Sequence, residues 1–435
     1  MMTLVRRPAG AGRFYSVALA TLLCLAALLA PPASAAGKDG GPELDAAAWL
    51  LVDARDGTKL AARAPASRRS IASTTKLMTA YVALEELKLD EKLTVPAYDA
   101  LPAESIAGLT EGEKLTVADL ITAMMLPSAN DAAATIAAGV SGSEAAFVGL
   151  MNAASADLGL RDTSFANPIG LDEAGNYSTA ADLASLSLEL RENKFFRKTV
   201  EQSEATLESG SVPRTVVSRN TLLQSDPSVD GIKTGHTSDA GYVLVGSAKR
   251  ENVPLVSVVL GAPSESGRDI ATAQLLDYGY SLYEQRSPFK RRADLATAEV
   301  RYEDEPLPLV AGRTVEVSSR KDQALETAVD APAEVEGPIA KGEHLGVATV
   351  MLDGEPVGRV PLLAARAIAE PGWIDRVGGP IVVIVAVLVL IVILIVAVVL
   401  LRQRRSERVA ERNPEERMRS QQHRTSRRAN RGGVE

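Results

Sequence analysis

The chain is nearly free of cysteine and histidine, and these absences exclude several kinds of chemistry. Its 435 residues include one cysteine, Cys24, and three scattered histidines, His236, His344 and His423. Cys24 lies in an apolar N-terminal run, so the rest of the chain has no disulfide and no thiol nucleophile. Because no His-Glu-x-x-His sequence occurs, we expect no metal and no cofactor. A Ser-His-Asp triad remains open, although no Gly-x-Ser-x-Gly elbow supports it.

Apart from its C-terminal end, the chain has no excess of positive charge. The formal net charge is -8, yet residues 402–435 hold 11 Arg against 5 Glu, a local charge of +6. The remaining residues therefore carry -14, and an acidic body of this kind is not typical of a nucleic-acid-binding protein. The basic C-terminal end needs a local explanation.

The N-terminus predicts export. Three arginines, Arg6, Arg7 and Arg13, precede an apolar run, Val17–Ala30, and Ala33-Ser34-Ala35 follows it. This order is typical of a cleaved secretory signal, which we place at residues 1–36.

A second apolar run predicts a membrane span. Ile381–Leu401 has 21 residues without a polar side chain. As a helix it would extend roughly 31 Å, enough to cross the hydrocarbon core. Arginines follow at once, so the positive-inside rule places the basic tail, residues 402–435, in the cytoplasm. The sequence thus predicts a single-pass protein of the cell membrane with its main body outside the cytoplasm.

Two domains are expected between these runs. Residues 44–287 begin with a β-hairpin, continue with periodic helices such as Thr75–Leu87, and end with strands that include Ile232–His236. This order favours an α+β fold in which helices pack on one antiparallel sheet. Residues 293–370 alternate in short stretches between turns, which predicts a small all-β domain, best interpreted as a spacer.

Three short motifs carry the chemistry of the first domain. Ser73-Thr74-Thr75-Lys76 opens an apolar helix, where residues three apart face the same way, so a neutral Lys76 amine could reach the Ser73 hydroxyl. Ser128-Ala129-Asn130 precedes another helix and could alternatively be a helix cap. Lys233-Thr234-Gly235 lies on a predicted strand, where an interior glycine often marks the close approach of a ligand. An exposed strand is the alternative there, and a solvated lysine is the alternative for Lys76.

Together the motifs form the Ser-x-x-Lys, Ser-x-Asn, Lys-Thr-Gly set of penicillin-binding proteins and class A β-lactamases. With further stretches, Asp230–Thr237, Phe165–Leu171 and Tyr177–Leu183, residues 44–370 resemble the low-molecular-mass D-alanyl-D-alanine carboxypeptidases, serine peptidase family S11. The resemblance implies a β-lactamase/transpeptidase-like fold. It implies that peptidoglycan stem peptides are the substrate and that β-lactam antibiotics are covalent inhibitors.

The resemblance also implies a role for each motif residue. Ser73 would attack the penultimate carbonyl and Lys76 would accept its proton. The backbone N–H groups of Ser73 and His236 would hold the oxyanion. Gly235 would let the ligand come close to the strand. Ser128 would relay a proton to the leaving D-Ala amine, Asn130 would bind the peptide amide, and Lys233 would keep the potential positive. Thr234, with Arg219 or Arg268, would receive the terminal carboxylate; surface solvation is the alternative for both arginines.

Two other functions stay open. A β-lactamase is disfavoured, because no recognisable deacylating Glu lies between Asn130 and Lys233. Ala129 stands where class A β-lactamases have Asp and many carboxypeptidases have Gly, and a small residue should be tolerated there. A non-catalytic penicillin-binding sensor would keep the motifs and signal through the span, although the short tail has no domain of its own.

Overall fold

The computed structural model describes residues 41–102, 104–376 and 379–428. The predicted signal, residues 1–36, lies outside the described residues. The chain divides into two compact units, of which the first ends at Glu284 and the second begins at Gln285.

The first unit is built on one antiparallel sheet of five strands. From one edge to the other the strands are Lys59–Arg63, Ala48–Asp53, Val253–Ala262, Gly241–Arg250 and Val229–Thr237. The last of these, the Lys-Thr-Gly strand, occupies an edge. A strand at an edge can present backbone groups to a ligand because one side of it has no neighbouring strand.

Helices cover both faces of this sheet. One face carries most of them: Lys76–Glu86, Val117–Met125, Asn130–Ser141, Glu144–Asp157, Ala180–Glu192 and Lys194–Val200. Successive side chains of a strand point to opposite faces. Accordingly Leu50 and Val52 belong to the core under these helices, while Trp49 and Leu51 belong to a second core on the other face. Both faces are therefore buried.

The helix of the second face, Glu265–Ser281, was not predicted from the sequence. Its N-cap residue Ser264 accepts a hydrogen bond from the Gly267 N–H at 3.0 Å. A Cβ at Gly279 would lie 2.6 Å from Leu255 Cδ1 and 2.7 Å from Leu51 Cδ2, so this glycine lets the helix pack closely on the sheet. Two glycines and few large apolar residues weaken the helical signal, and packing overrides that weak propensity.

Several short elements were also not predicted. They are the strands Lys92–Thr94, Lys114–Thr116, Glu204–Leu207 and Arg214–Val217, the helices Leu222–Ser225 and Lys194–Val200, and the 3-10 turn Ala72–Thr75. Strands of three or four residues are too short to show alternation. They are stabilised by pairing, Lys92–Thr94 with Lys114–Thr116 and Glu204–Leu207 with Arg214–Val217.

The second unit is mainly β-structure, as expected. Six strands form one sheet in the order Leu325–Asp330, His344–Leu352, Glu355–Ala364, Leu307–Ala311, Asp294–Val300 and Glu334–Val335. Tyr283–Phe289 pairs with Val315–Arg320 in a second, two-stranded sheet. The predicted Asp353-Gly354 turn joins His344–Leu352 to Glu355–Ala364. The strands Tyr283–Phe289 and Leu307–Ala311 were missed from the sequence.

The short helix Trp373–Arg376 and the long helix Gly379–Arg428 follow the second unit's strands. The part of the long helix from Gly379 to Arg408 has a mean hydropathy of 3.9 over the most apolar window, and that window is fully exposed. A helix so apolar and so exposed is suited to a bilayer, which makes it a candidate membrane anchor. The predicted span, Ile381–Leu401, lies within it.

Candidate active site

The first motif places a hydroxyl and an amine in contact. Ser73 lies in the 3-10 turn Ala72–Thr75, and Lys76 begins the helix that follows. One turn of helix separates the two side chains, and Lys76 Nζ lies 3.0 Å from Ser73 Oγ. Ser73 is half-buried, while Lys76 is fully buried, so the alternative of a solvated lysine is wrong.

Burial changes the acidity of this amine. It lowers the pKa of Lys76 from 10.5 to about 7; the carboxylate of Glu104 acts against this shift, Arg219 adds to it, and Asp131 opposes it weakly. An ammonium loses its hydration when it is buried, so the neutral form is favoured. Near pH 7 a large fraction of the amine is therefore neutral and able to accept a proton.

A loop holds the amine in place from the other side. Lys76 Nζ donates a hydrogen bond to the Ile169 carbonyl. Asn167 is buried and its Oδ1 accepts hydrogen bonds from the N–H groups of Ile169, Gly170 and Leu171 at 2.7–3.3 Å. Gly170 has a φ of +89°, and a Cβ there would lie 2.1 Å from the Ala72 carbonyl oxygen. The loop can approach the nucleophile turn this closely only with glycine at that position.

The second motif does not cap a helix, so that alternative is wrong. The N-cap residue of Asn130–Ser141 is Ala129, whose side chain makes no capping hydrogen bond, and the Ala132 N–H of the first turn donates to Asp131 Oδ1 instead. Ser128 has a left-handed backbone, with φ +69°, and its buried Oγ has no hydrogen-bond partner among the described residues. A non-glycine residue in that conformation is strained, and such strain often occurs at functional sites.

The third motif is buried rather than exposed. Lys233 and Thr234 are 1% and 5% exposed, and Lys233 Nζ donates to the Thr234 carbonyl at 2.9 Å. Burial lowers the pKa of Lys233 well below its usual value, and the positive charges of Lys76, Arg219 and Arg268 lower it further. A Cβ at Gly235 would lie 2.8 Å from Ser73 N, which shows how closely the strand passes the nucleophile.

Three further predicted residues border the same space. His236 is exposed and stacks on Tyr242, with ring centroids 4.0 Å apart. Arg219 is exposed, and its Nε donates to the Pro127 carbonyl at 2.9 Å. Arg268 is only 2% exposed and pairs with Asp269 at 2.7 Å, so surface solvation does not describe it.

These residues surround one cleft of about 260 Å³. Its lining comprises Ser73, Ser105, Ser128, Arg219, Thr234, Gly235, His236, Tyr242, Glu265 and Arg268. The structure therefore brings Ser73, Ser128, Thr234 and Gly235 of the three motifs to one place, while Lys76, Asn130 and Lys233 are buried and do not line the cleft. Among the described residues no group of three or more His, Cys, Asp or Glu could hold a metal ion.

Two residues of this site, Tyr98 and Glu104, were not predicted from the sequence. Asn130 Nδ2 donates to Glu104 Oε2 at 2.8 Å, and the Tyr98 hydroxyl donates to the same oxygen. Although burial acts to raise it, these hydrogen bonds hold the pKa of Glu104 below its usual value, so the group is a carboxylate. Both residues lie in an irregular segment without a motif, and only the fold brings that segment to Asn130.

Comparison with known proteins decides the family. The sequence model described as D-alanyl-D-alanine carboxypeptidase matches residues 34–264, more than half of the chain. The chain belongs to the D-alanyl-D-alanine carboxypeptidase family. A second model, the C-terminal domain of penicillin-binding protein 5, matches residues 283–370. Both parts of the predicted resemblance are confirmed, and the chain is accordingly a serine D-alanyl-D-alanine carboxypeptidase of peptidoglycan metabolism.

Characterised members of the family resemble this chain over most of their length. The carboxypeptidase DacF of Bacillus subtilis is 31% identical over 82% of this chain and 95% of its own, and DacC of Escherichia coli is 34% identical over 80% and 91%. The crystal structure of penicillin-binding protein 5 from Haemophilus influenzae has a TM-score of 0.54, with 29% identity over 76% of this chain and 99% of its own. The penicillin-binding fold is thereby confirmed.

Proposed function

We propose that Ser73 is the nucleophile with which this carboxypeptidase removes the terminal D-Ala from peptidoglycan stem peptides. The observation that carries the assignment is the contact of its hydroxyl with a buried amine whose pKa is about 7. A general base is most effective when its pKa lies close to the working pH. Neutral Lys76 takes the Ser73 proton as the hydroxyl attacks the penultimate carbonyl, and an acyl-enzyme forms.

The edge strand supplies the oxyanion site. The N–H groups of Ser73 and His236 lie where the strand passes the nucleophile turn, which the 2.8 Å approach at Gly235 supports. Donors of this kind are commonly worth about 3–4 kcal/mol each in the transition state. In this proposal the unpartnered Ser128 hydroxyl passes a proton to the departing amine, and the buried amine of Lys233 assists that transfer.

Recognition of the substrate uses the other side of the cleft. Asn130 donates its Nδ2 to Glu104, so its Oδ1 is left to accept the N–H of the stem peptide. Thr234 and Arg268 border the cleft together, and Arg219 adds positive charge at its rim. These three residues bind the terminal carboxylate. Water then enters and releases the acyl-enzyme.

A β-lactam enters the same cleft and acylates Ser73. Loss of the acyl group is slow in this proposal, because Glu104, a carboxylate bonded to the second motif, is held by Asn130 and Tyr98 and is not free to activate a water molecule. Rapid turnover of nitrocefin would favour a β-lactamase instead. Labelling without D-Ala release from any stem peptide would favour a sensor.

We also propose that the apolar helix crosses the cell membrane once, with the catalytic unit outside and residues 402–435 in the cytoplasm. The support is the arginine cluster directly after the apolar run, Arg402, Arg404, Arg405 and Arg408. A protease added to intact spheroplasts should remove the catalytic unit and leave a tag at residue 435 protected. Digestion of the tag instead would reverse this topology.

Ser73→Ala tests the nucleophile. We expect D-Ala release from a Lys-D-Ala-D-Ala peptide to fall at least about 10³-fold, because no other group can form the acyl-enzyme. Fluorescent penicillin labelling should disappear, and mass spectrometry should find the wild-type adduct on Ser73. Ser67→Ala, at an exposed serine of the preceding segment, should leave both unchanged. Persistent D-Ala release by Ser73→Ala would refute the assignment.

Glu104→Gln tests the electrostatics of the base. Burial lowers the pKa of Lys76; Glu104 opposes this fall, Arg219 adds to it, and Asp131 opposes it. Loss of the Glu104 charge lowers the pKa of Lys76 below about 7, so the acidic limb of kcat/KM moves to lower pH. The ratio of activity at pH 6 to that at pH 8 should rise roughly twofold or more.

Glutamine retains a hydrogen-bond acceptor for Asn130, so this variant removes mainly the charge. Glu111→Gln, at an exposed carboxylate of the same segment, is the matched control and should keep the wild-type profile. Identical pH profiles for Glu104→Gln and the wild type would show that Glu104 does not act on the base.

A further inference from the structure

A basic pocket lies on the second unit, distant in sequence from every residue assigned a role above. Its volume is about 420 Å³. Ten residues line it: Arg291, Arg292, Val310, Ala311, Gly312, Lys341, Gly342, Leu363, Ala364 and Ala365. Three of these carry positive charge and none carries a carboxylate. The sequence had suggested only a spacer for this unit.

The three cations of the basic pocket are unpaired. Across the described residues, the side chains of Arg291, Arg292 and Lys341 form no hydrogen bond or ion pair. Other arginines of the same unit are paired, for example Arg301 with Glu334 at 2.9 Å and Arg366 with Glu303 at 2.9 Å. Like charges gathered without counterions repel one another, so a ligand that supplies negative charge is favoured.

Backbone hydrogen bonds fix the walls of the basic pocket. Arg292 has a left-handed φ of +67°, and its N–H donates to the Ala311 carbonyl at 2.8 Å. On the opposite wall the Gly342 N–H donates to the Ala364 carbonyl at 2.8 Å. Non-glycine residues rarely adopt a left-handed backbone, and they do so disproportionately at ligand sites. The pocket is therefore built by the fold and not by mobile side chains alone.

The rest of the lining is apolar. Val310 and Leu363 are half-buried, and Ala311 and Ala364 are buried beside them. Cations next to an apolar wall suit a ligand that joins an anion to a hydrocarbon part. Acidic side chains of the protein do not neutralise these cations. Asp294 and Glu343 are near in sequence but do not line the pocket, and Glu343 accepts a hydrogen bond from the Ala340 N–H at 2.7 Å.

The chain itself keeps the basic pocket near a bilayer. Trp373 is 69% exposed and lies eight residues before Ile381, where the apolar run begins. Tryptophan is enriched at membrane interfaces, so we place Trp373 at the headgroup level. Ala365 precedes it by eight residues, which span at most roughly 28 Å when fully extended. The pocket can therefore lie no further than this from the headgroups.

We propose that the basic pocket binds the phosphate headgroup of an anionic phospholipid and so holds the second unit against the membrane surface. Arg291, Arg292 and Lys341 contact the phosphate, and Val310 and Leu363 lie beside the glycerol and the first methylene groups. This site would act together with the helical anchor, since two weak membrane signals hold a domain more firmly than one.

The test uses the full chain in nanodiscs and follows the labelling of its lysines by an amine-reactive reagent, resolved by mass spectrometry. Replacing phosphatidylcholine by phosphatidylglycerol should slow the labelling of Lys341 about tenfold, as expected for a site that is about 90% occupied. Lys321, exposed elsewhere on the same unit, should react equally in both lipids. Inorganic phosphate added to phosphatidylcholine nanodiscs should give no protection.

Charge-reversal variants test whether the protection of Lys341 requires the pocket or only a general attraction of the protein to an anionic membrane surface. The double variant Arg291→Glu, Arg292→Glu should label at Lys341 at the same rate in both lipids, whereas Arg359→Glu, at an exposed arginine outside the pocket, should keep the protection. Wild-type circular dichroism and thermal unfolding of the full chain show that both variants are folded, since penicillin labelling reports only on the first unit. Equal Lys341 rates in the wild type, equal protection of Lys321, protection by free phosphate, or protection that survives the double variant would each overturn the proposal.

Discussion

Lys76→Met should lower kcat/KM by about 10³-fold or more and at the same time raise the thermal stability near pH 6. The activity falls because the methionine side chain has no amine to accept the Ser73 proton. The stability rises because a buried ammonium is costly, and methionine fills a similar volume without charge. An active-site residue that improves catalysis at the expense of folding is expected at a site of this kind.

The lowered pKa of Lys76 determines how the stability difference between the variant and the wild type changes with pH. The pKa of Lys76 is about 7 in the folded chain, against 10.5 for an ordinary lysine. Between these two values the unfolded chain binds more protons than the folded chain, so the free energy of unfolding rises with pH across this window. The Lys76→Met variant has no titrating amine at this position, so its free energy of unfolding lacks this rise with pH. Its advantage in Tm over the wild type should therefore be largest below pH 7 and should shrink towards pH 10.

One lost contact works in the opposite direction. Without the amine, the Ile169 carbonyl loses a hydrogen bond, at a cost of about 1–3 kcal/mol. The full pKa displacement corresponds to roughly 5 kcal/mol at low pH, which exceeds this cost. Lys88→Met, at an exposed lysine just after the same helix, should change neither Tm nor kcat/KM. A Lys76→Met chain that is less stable than the wild type at pH 6 would contradict the argument.

Gly235→Ala should slow acylation by penicillin about 10²-fold or more while the chain remains folded. Its Cβ would lie 2.8 Å from Ser73 N and 2.8 Å from Val243 Cγ2. Ser73 N belongs to the backbone of the nucleophile turn and cannot rotate away, so strand and nucleophile must separate. A displacement of about 1 Å at reacting groups can cost about 10²-fold in rate. Stopped-flow fluorescence with a reporter penicillin measures the acylation constant directly.

Gly149→Ala is the matched control for this substitution. Gly149 lies inside the helix Glu144–Asp157, and a Cβ there would meet no atom within 4 Å. Alanine favours the helix by about 1 kcal/mol over glycine, so this variant should be slightly more stable and fully active. Wild-type acylation by Gly235→Ala would show that the strand does not pass the nucleophile as closely as the structure places it.

Much of the fold was predictable where the pattern is local. The helices Val117–Met125 and Glu144–Asp157 and the strands around Val253–Ala262 follow from long periodic stretches of apolar residues. The helix Glu265–Ser281 was not predictable, because its contact with Leu51 and Leu255 depends on a sheet assembled from both ends of the first unit. Pairing distant in sequence leaves no local signal.

The chemistry of the site was likewise predictable from the sequence only in part. The contact between Ser73 and Lys76 could be predicted, because residues one helical turn apart face the same way. The roles of Ser128, Asn130, Lys233 and Thr234 were implied by the resemblance of the three motifs to those of penicillin-binding proteins. The sequence also determined the apolar C-terminal helix, since 21 residues without a polar side chain need no partner to be identified as a candidate span.

Only the tertiary structure decided what makes these residues reactive. The pKa of Lys76 depends on burial beneath Ile169 and on charges at Glu104 and Arg219, which are remote in sequence. The partners of Asn130 and the unpaired cations of the basic pocket are likewise set by which loops meet. Sequence specifies covalent identity and local period, whereas desolvation and electrostatic interaction depend on distances in space, and the chain acquires those distances only when it folds.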